Sequence, residues 1–448
     1  MEFNAFKQAV IAAANDMGIT AYELYYQSAE STSISAYKRE TDKFTSSMEG
    51  GVCFRCIVNG KMGYASTEEL SEAQAVSIVR RAADNAAVLE SDDPVFLVEG
   101  GQTYAAMDYS PYALPTTDEM ISTVLAGQEA IYAADEAIID GSSNQVFGEK
   151  GEIAIANSNG LDLHYAYTTT GFMVGAVVSD GKEMANSYEL KLGELSKLDL
   201  KEVSEKTAKS AKAKLGGDVA PTGVYPVVFS PDAMASLLST YSSVFSSESA
   251  QKGLSRLNGK EGEVIAADII TLVDDPFYKE SAMPINFDAE GSPAGCKNVI
   301  ENGKLNTLLY NLKTAAIAGK KTTGNAAKSG YNGKVGIQPF TMYIAPGAIT
   351  EEELLAKAGN GVYINSLGGL HAGANVISGD FSLQSGGFMI ENGQKTTPVK
   401  SFTVAGNFYD LLKQITAVAS NVELPHASGI TNFGSPSVLA EGLSIAGK

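Results

Sequence analysis

Asn-Gly pairs recur along this 448-residue chain and separate short runs that are rich in β-branched and aromatic residues. A two-residue hairpin turn needs positive φ angles, which asparagine and glycine adopt more readily than other residues. Two pairs lie in the first half of the chain, and five more begin in the second half at positions 258, 302, 332, 360 and 392. Each pair predicts a tight turn, and their spacing favours a largely antiparallel sheet or barrel over a series of βαβ units.

The first half combines strand signals with helix signals. Ser66 and Glu69 have the spacing of a capping box, which predicts a helix that runs to about Leu89. Thr116 and Glu119 have the same spacing and predict a second helix. The segments EIAIANS and LDLHYAYTTTGFMVGAVVS, joined by an Asn-Gly pair, predict a hairpin.

A Gly/Pro-rich stretch, GGDVAPTG, follows a lysine-bearing helical segment and predicts a domain boundary. The chain is long enough for two cores, so we expect an α+β fold in two parts. Residues 1–217 would form an N-terminal α/β-sandwich-like domain with an antiparallel sheet. Residues 223–448 would form a mainly antiparallel, barrel-like β domain, with a helix over YDLLKQITAVA near its end.

Residues 230–248, SPDAMASLLSTYSSVFSSE, predict a well-specified helix. Ser230 is a good N-cap and Pro231 suits the first turn. One apolar stripe then comprises Leu237, Leu238, Tyr241, Val244 and Phe245. By itself, this pattern predicts a core helix.

The formal net charge of the chain is −19, and its isoelectric point is near 4.7. Such a field repels a phosphate backbone, which disfavours nucleic-acid binding. The sequence has no apolar run of about 18 residues that would span a membrane. Its first residues lack the pattern of a signal peptide, so we expect a cytoplasmic protein.

The cysteines and histidines predict no metal or redox site. Cys53 and Cys56 lie in a β-prone run, where side chains three residues apart point to opposite faces. His164, His371 and His426 are far apart in the sequence, and none has a ligand-spaced partner.

Long segments of the chain resemble the TldD/PmbA family, also described as peptidase U62 and as modulators of DNA gyrase. The resemblance in the second half includes GVYPVVFSPDAMASLL, SRLNGKEGEVIAADIITLVDDP and SGDFSLQSGGFMIENGQKTTPVKSFTVAGNFYDLLKQITAVASNVE. In the first half it includes GGVCFRCIVNGKMGYAST. It therefore covers nearly the whole chain and implies an α+β fold in two parts.

In the TldD half of this family, two leucines are followed by a zinc-binding His-Glu-x-x-x-His motif, and a cysteine near the C-terminus is a further ligand. Here the motif positions fall on Ser239, Thr240 and Val244, and no cysteine follows Val422. Hydroxyl groups are poor zinc ligands and valine offers no donor atom. This pattern resembles the PmbA (TldE) branch, which implies a subunit without catalytic residues, metal or cofactor of its own.

The resemblance implies a role in a TldD/TldE-type metalloprotease that degrades or processes unfolded peptides. The partner would be a TldD-like subunit carrying the zinc, in a heterodimer, and a homodimer could form when this chain is alone. Relatives hold the peptide in a closed channel between subunits. By resemblance, the residues expected to line it are Ser378, Gly379, Asp380, Phe381, Ser382, Gly386 and Gly387.

Two other functions remain open at this point, and so does whether the chain is an enzyme by itself. One is a homodimeric peptidase with other ligands, such as Asp274, Asp275, Asp288 or Glu290, although oxygen-only sites suit magnesium or calcium better than zinc. The other is a non-catalytic regulator of DNA gyrase. Because the chain is acidic, such a regulator would act by protein contact.

Overall fold

A six-stranded antiparallel sheet organises the first half of the molecule. The structure, a computed structural model, describes residues 1–139 and 141–448, and the side chains of residues 426–428 lie outside the described part. The strands lie in the order β3-β2-β1-β4-β5-β6. The elements are α1 (Phe3–Asp16), β1 (Tyr22–Tyr37), β2 (Glu40–Val58), β3 (Lys61–Thr67), α2 (Glu72–Val88), α3 (Thr117–Ala134), β4 (Ser143–Asn157), β5 (Asp162–Ser179), β6 (Met184–Leu192), a 3-10 turn (Leu195–Lys197) and α4 (Leu200–Lys212).

Both faces of this sheet are covered. Helices α1 and α2 pack on one end of one face, where Leu24 and Phe54 join their core, and α3 and α4 pack on the other end around Ile34. Tyr25 and Cys53 point to the opposite face and pack against the second half of the chain. The alternation of side chains along each strand therefore builds two cores from one sheet.

The second half contains a small closed barrel and a second sheet. Its elements are β7 (Asp218–Val219), β8 (Gly223–Phe229), α5 (Pro231–Tyr241), a 3-10 turn (Ser242–Phe245), α6 (Ser247–Gln251), β9 (Leu272–Asp274), β10 (Lys297–Glu301), β11 (Lys304–Leu305), α7 (Leu312–Ile317), β12 (Ala326–Ala327), β13 (Gly336–Ile337), β14 (Thr341–Ile344), α8 (Glu351–Ala358), β15 (Gly361–Gly368), α9 (Leu370–Gly373), β16 (Asp380–Glu391), β17 (Gln394–Asn407), α10 (Phe408–Gln414), β18 (Ile415–Val418), β19 (Glu423–Ser428), β20 (Thr431–Ser435) and β21 (Val438–Ala446).

Five strands close the barrel in the order β8-β15-β16-β17-β21, and β21 pairs again with β8. Four of the five pairings are antiparallel, and β8 with β15 is parallel. The second sheet has the order β11-β10-β9-β14-β20-β19. Helix α5 packs against β15, β19 and β20, and so lies between the barrel and this sheet. The predicted α+β class, with an antiparallel sheet followed by a barrel, is confirmed.

Two of the predicted helices need correction. Ser66 lies in β3, and α2 begins at Glu72 with Ser71 as its N-cap, accepting a hydrogen bond from the N–H of Gln74. Ser66 is extended because β3 pairs with β2. This pairing gives the backbone groups of β3 hydrogen-bond partners, so the helix begins only after the strand ends. The helix predicted over YDLLKQITAVA ends at Gln414, and the next four residues form β18, which pairs with β21.

The Asn-Gly pairs do not all form hairpins. The pairs at positions 302 and 392 do, and Asn302 and Asn392 have the positive φ angles of 47° and 51° that the turn requires. The pair at 360 does not, since Gly361 is the first residue of β15 and follows helix α8.

The domain boundary between residues 217 and 223 stays a prediction. No helix within the described residues is long and apolar enough to cross a membrane.

Candidate functional site

Helix α5 is the core helix that its sequence predicts. The Ser230 hydroxyl accepts a hydrogen bond from the N–H of Ala233 at 3.2 Å, and Pro231 occupies the first turn. The five residues of the predicted apolar stripe are fully buried: Leu237, Leu238, Tyr241, Val244 and Phe245. The α-helix ends at Tyr241, however, and a 3-10 turn continues the chain.

The three residues predicted to occupy the family's zinc-motif positions offer no metal-binding group. Ser239 and Thr240 are half-buried in the last turn of α5, and the Thr240 hydroxyl donates to the Ser236 carbonyl at 2.8 Å. Val244 lies in the 3-10 turn and is fully buried in the core. Among the side chains that the structure describes, no group of three or more His, Cys, Asp or Glu residues could hold a metal ion. This arrangement does not fit a zinc ion.

The structure brings this helix into contact with the first residues proposed to line a peptide channel. The Tyr241 hydroxyl donates to the backbone carbonyl of Asp380 at 2.8 Å. The Tyr241 ring stacks on Phe408, with 4.5 Å between the ring centroids. Strand β16 begins at Asp380, so the end of α5 fixes where this strand enters the barrel.

The turn before β16 is held by its own polar groups. Gly379 has a φ of 81°, and a Cβ there would lie 2.5 Å from the Tyr409 ring. The Asp380 carboxylate accepts a hydrogen bond from the Asn407 side chain at 2.8 Å, which lowers the pKa of Asp380. Phe381 is buried in the barrel core, whereas Ser382 is exposed. Of these proposed channel residues, Asp380 and Ser382 have exposed side chains that can contact a peptide.

Gly386 and Gly387 lie at a bulge inside the barrel wall. Strand β16 pairs with β15 on one side and β17 on the other, and its register shifts at this point in both pairings. A Cβ at Gly387 would lie 1.8 Å from the carbonyl oxygen of Tyr363. Close approach of two strands therefore explains this glycine. Because both edges of β16 are paired, a peptide could not add to it by backbone pairing.

The acidic residues considered as alternative ligands have other partners. Asp274 is fully buried and contacts the Lys297 ammonium at 3.0 Å, and it accepts hydrogen bonds from the Asn325 side chain and the Phe340 N–H, both at 2.7 Å. Asp275 accepts a hydrogen bond from the N–H of Phe277 at 2.9 Å. These contacts stabilise the strand ends and turns in which the two residues lie.

Asp288 and Glu290 belong to a buried charge cluster between the two halves of the chain. Glu290 lies 3.8 Å from the Arg55 guanidinium, whose Nε is 2.8 Å from Glu23. The Asp288 carboxylate accepts three backbone hydrogen bonds, each of 2.9 Å, from Glu290, Ser292 and Ala326. Burial, together with the charge of Glu290, raises the pKa of Asp288 to about 8. Burial also raises the pKa of Glu290, and the Arg55 charge opposes this shift.

A cavity of about 360 Å³ lies beside this cluster. Aromatic side chains from both halves form much of its wall: Tyr25, Tyr167, Phe287 and Phe340. The Lys328 ammonium lies 4.4 Å from the centroid of the Tyr25 ring, and burial lowers its pKa. Sequence reasoning missed the cavity because its walls are far apart in the chain and no motif marks them.

The histidines and cysteines are dispersed in the structure. His164 contacts Glu152 at 2.8 Å on the exposed surface, His371 lies in the short helix α9, and the His426 side chain is outside the described residues. Cys53 faces the core shared with the second half, whereas Cys56 faces the core under α1 and α2. The prediction that these two thiols diverge is confirmed.

Comparison with known proteins decides the family. Models of the PmbA/TldA metallopeptidase match three segments, namely domain 1 over residues 22–86, the central domain over 111–215 and the C-terminal domain over 222–447. The chain belongs to the PmbA/TldD metallopeptidase family. A Haemophilus influenzae relative, named as a metalloprotease PmbA homologue, is 28% identical over 93% of this chain and 90% of its own length.

Two solved structures share this fold. A Thermotoga maritima protein described as a modulator of a DNA gyrase has a TM-score of 0.90 and 29% identity, with 99% of this chain and 100% of that chain covered. TldE from Thermococcus kodakarensis has a TM-score of 0.87 and 23% identity, with the same coverage. The second likeness shows the fold alone.

Proposed function

We propose that this chain is the PmbA/TldE-like, metal-free subunit of a TldD/TldE-type metalloprotease that degrades or processes unfolded peptides. One observation carries the proposal. In a chain of this metallopeptidase family, the zinc-motif positions hold Ser239, Thr240 and the buried Val244.

The side chains at these positions are unsuited to both parts of zinc hydrolysis. A zinc site needs nitrogen, sulfur or carboxylate donors, and Ser239 and Val244 provide none. A general base is needed to activate water, and the Thr240 hydroxyl already donates to a backbone carbonyl of its own helix. Bond cleavage would then depend on a TldD-like partner that carries the zinc, in a heterodimer with this chain.

The contribution of this chain would be to shape the chamber that holds the peptide. The first residues of the segment Ser378–Gly387 contact the end of α5 through the hydrogen bond from Tyr241 to the Asp380 carbonyl, which supports a place for this segment near the positions of the family's zinc motif. Contacts from this segment would come from exposed side chains such as Ser382. We also propose a cytoplasmic location.

Zinc content and peptidase activity, measured together, test the proposal. The chain purified alone without chelator should contain far less than one zinc per chain and should not cleave an unfolded protein. Adding a TldD-type subunit should give cleavage that depends on both proteins. One tightly held zinc per chain, or zinc-dependent cleavage by this chain alone, would overturn the assignment.

The homodimeric peptidase receives no support from the described geometry, because Asp274, Asp275, Asp288 and Glu290 all have internal partners.

Regulation of DNA gyrase is the second candidate function, favoured by the description of the Thermotoga maritima neighbour. A gyrase supercoiling assay tests it directly. No change in supercoiling rate at a stoichiometric amount of this protein would exclude it.

A further inference from the structure

The cavity between the two halves of the chain has an apolar and largely aromatic interior. The first sheet contributes Tyr25, Ile153 and Tyr167 to its wall, and the second half contributes Met283 and Phe287. Each of these side chains is at most 6% exposed. The volume of about 360 Å³ lies within the range of small-molecule sites, about 300–1000 Å³. A concave apolar surface of this size is typical of a ligand site.

The cavity reaches the protein surface. Ser329, Gln338 and Gly429 also line it, and all three residues are exposed. A small molecule can therefore enter from solvent. The residues predicted at the zinc-motif positions are not part of the wall, and neither is any residue from Ser378 to Gly387. The wall thus shares no residue with the segments on which the peptidase role was argued.

Lys328 is the only basic residue among the described residues that line the cavity. Its side chain is half-buried, and its ammonium lies 4.4 Å from the centroid of the Tyr25 ring and contacts the Cys53 thiol. The described residues include no ion-pair partner for it. Burial without a bound anion disfavours the charged form of lysine and lowers its pKa. An anionic group on a ligand would supply the missing partner.

Two acidic residues also lie on the wall, and neither prevents an anion from binding at Lys328. Burial raises the pKa of Asp288 to about 8, so this carboxyl group is uncharged at neutral pH. Glu149 is opposite Ser31 on β1, six residues from Tyr25, which corresponds to about 20 Å along the strand. The negative charge of Glu149 therefore lies well away from the lysine.

These features favour one class of ligand. Lys328 would repel a cationic molecule, and an uncharged molecule would leave the ammonium without an anion. A phosphate dianion would bring more negative charge than one ammonium balances, inside a chain whose net charge is −19. A single carboxylate matches one ammonium, and an aromatic ring matches the aromatic wall.

We propose that this cavity is a binding site for a small aromatic carboxylate, whose carboxylate contacts the Lys328 ammonium and whose ring packs among Tyr25, Phe287 and Phe340. Such a ligand would touch residues of both halves and would stabilise their contact. This inference does not depend on the proposed peptidase role.

Titration calorimetry of the full-length chain with phenylacetate tests the site. One molecule should bind per chain, with a dissociation constant below about 1 mM. Acetate, which lacks the ring, and phenylacetamide, which lacks the charge, should each bind at least about tenfold more weakly. No binding of phenylacetate would overturn the proposal. Equal binding of acetate would also overturn it, because it would show an adventitious ion only.

Replacing Lys328 tests the contact with the carboxylate. Lys328→Met retains an unbranched apolar side chain but removes the ammonium, so phenylacetate should bind at least about tenfold more weakly. Lys334→Met is the matched control, because it removes an exposed lysine from the same connection between β12 and β13 and should leave the affinity unchanged. An unchanged affinity in Lys328→Met would overturn the proposal.

Methionine methyl signals locate the ligand in the wild-type chain, so this measurement does not depend on how the lysine variants fold. With isotope-labelled methionine methyl groups, the NMR signal of Met283 in the cavity wall should shift when phenylacetate is added. The signal of Met184, which is 70% exposed on β6, should not move. Met283→Leu and Met184→Leu assign the two signals. Binding without a shift at Met283 would place the ligand elsewhere and would overturn the proposal.

Discussion

Arg55 and Glu290 join the two halves of the molecule through a buried ionic contact of 3.8 Å. Arg55 lies in β2 and Glu290 in the turn after Asp288, and their side chains are only 5% and 6% exposed. Glu23, 2% exposed, lies 2.8 Å from the same guanidinium. One cation therefore holds two buried carboxylates, and it does so at the contact between the first sheet and the second half.

Replacing Arg55 with methionine should strongly destabilise the protein. The substitution keeps much of the side-chain volume but leaves Glu23 and Glu290 buried without their cation, which should lower the free energy of unfolding by about 3–5 kcal/mol. Urea denaturation measures the change. Lys150→Met, which removes an exposed pair with Glu30, is the control and should cost less than about 1 kcal/mol. Equal effects for both variants would contradict the role of burial.

Stability should depend on pH through Asp288. Its pKa is raised in the folded protein from 3.8 to about 8, so between these values the folded state retains a proton that the unfolded state has released. The contribution of this group to the free energy of unfolding therefore falls as pH rises through this window and is constant above it. Asp288→Asn removes the titration. Urea denaturation at pH 5, 6.5 and 8 measures the free energy of unfolding of both proteins. As pH rises, the value for the wild type should fall relative to the value for Asp288→Asn.

Asp380→Asn provides a control of opposite sign. The pKa of Asp380 is lowered by its hydrogen bond from Asn407, so its contribution is present at neutral pH and lost as pH falls through the folded pKa. A wild-type advantage over Asp288→Asn that grew with pH would show that Asp288 is ionised in the folded protein.

Gly387 should be required for the barrel. An added methyl group would lie 1.8 Å from the Tyr363 carbonyl oxygen, so Gly387→Ala must separate β16 from β15. We expect a loss of about 1–3 kcal/mol in the free energy of unfolding, measured by denaturant titration. Gly295→Ala is a matched control, because an added Cβ there meets no atom within 4 Å. A stable Gly387→Ala protein with altered peptide processing would instead point to a direct role in the channel.

The Tyr241 hydroxyl should stabilise the contact between α5 and β16. Tyr241→Phe retains the stacking on Phe408 but removes the hydrogen bond to the Asp380 carbonyl, which should cost about 1 kcal/mol. Thermal and denaturant unfolding measure this. Tyr37→Phe, at an exposed position near the tip of the β1–β2 hairpin, should have no comparable effect. Equal stability of both variants would show that the hydroxyl does not hold the strand.

Local signals in the sequence predicted several elements because the residues that decide them are neighbours in the chain. Ser230 caps α5 through the backbone three residues later, and Thr116 and Glu119 form the expected capping box of α3. The Asn392 turn forms the β16–β17 hairpin. The divergence of Cys53 and Cys56 followed from strand alternation alone.

Elements whose conformation depends on a distant strand were predicted wrongly. Residues 415–418 continue an amphipathic helical pattern, yet they form β18 because β21 offers them backbone hydrogen bonds. Ser66 has a capping-box partner at the right spacing, yet β2 holds it in a strand. Propensity is a weak preference, and tertiary pairing overrides it where a strand edge is available.

The sequence by itself determined the fold class, the family and the lack of zinc donors at Ser239, Thr240 and Val244, since these depend on residue identity and local pattern. Only the tertiary structure decided the surroundings of the candidate site. It placed β16 between two strands, joined Arg55 to Glu290 across 235 positions of sequence and left one edge of β2 open. Such contacts depend on long-range packing, which no short segment of the chain encodes.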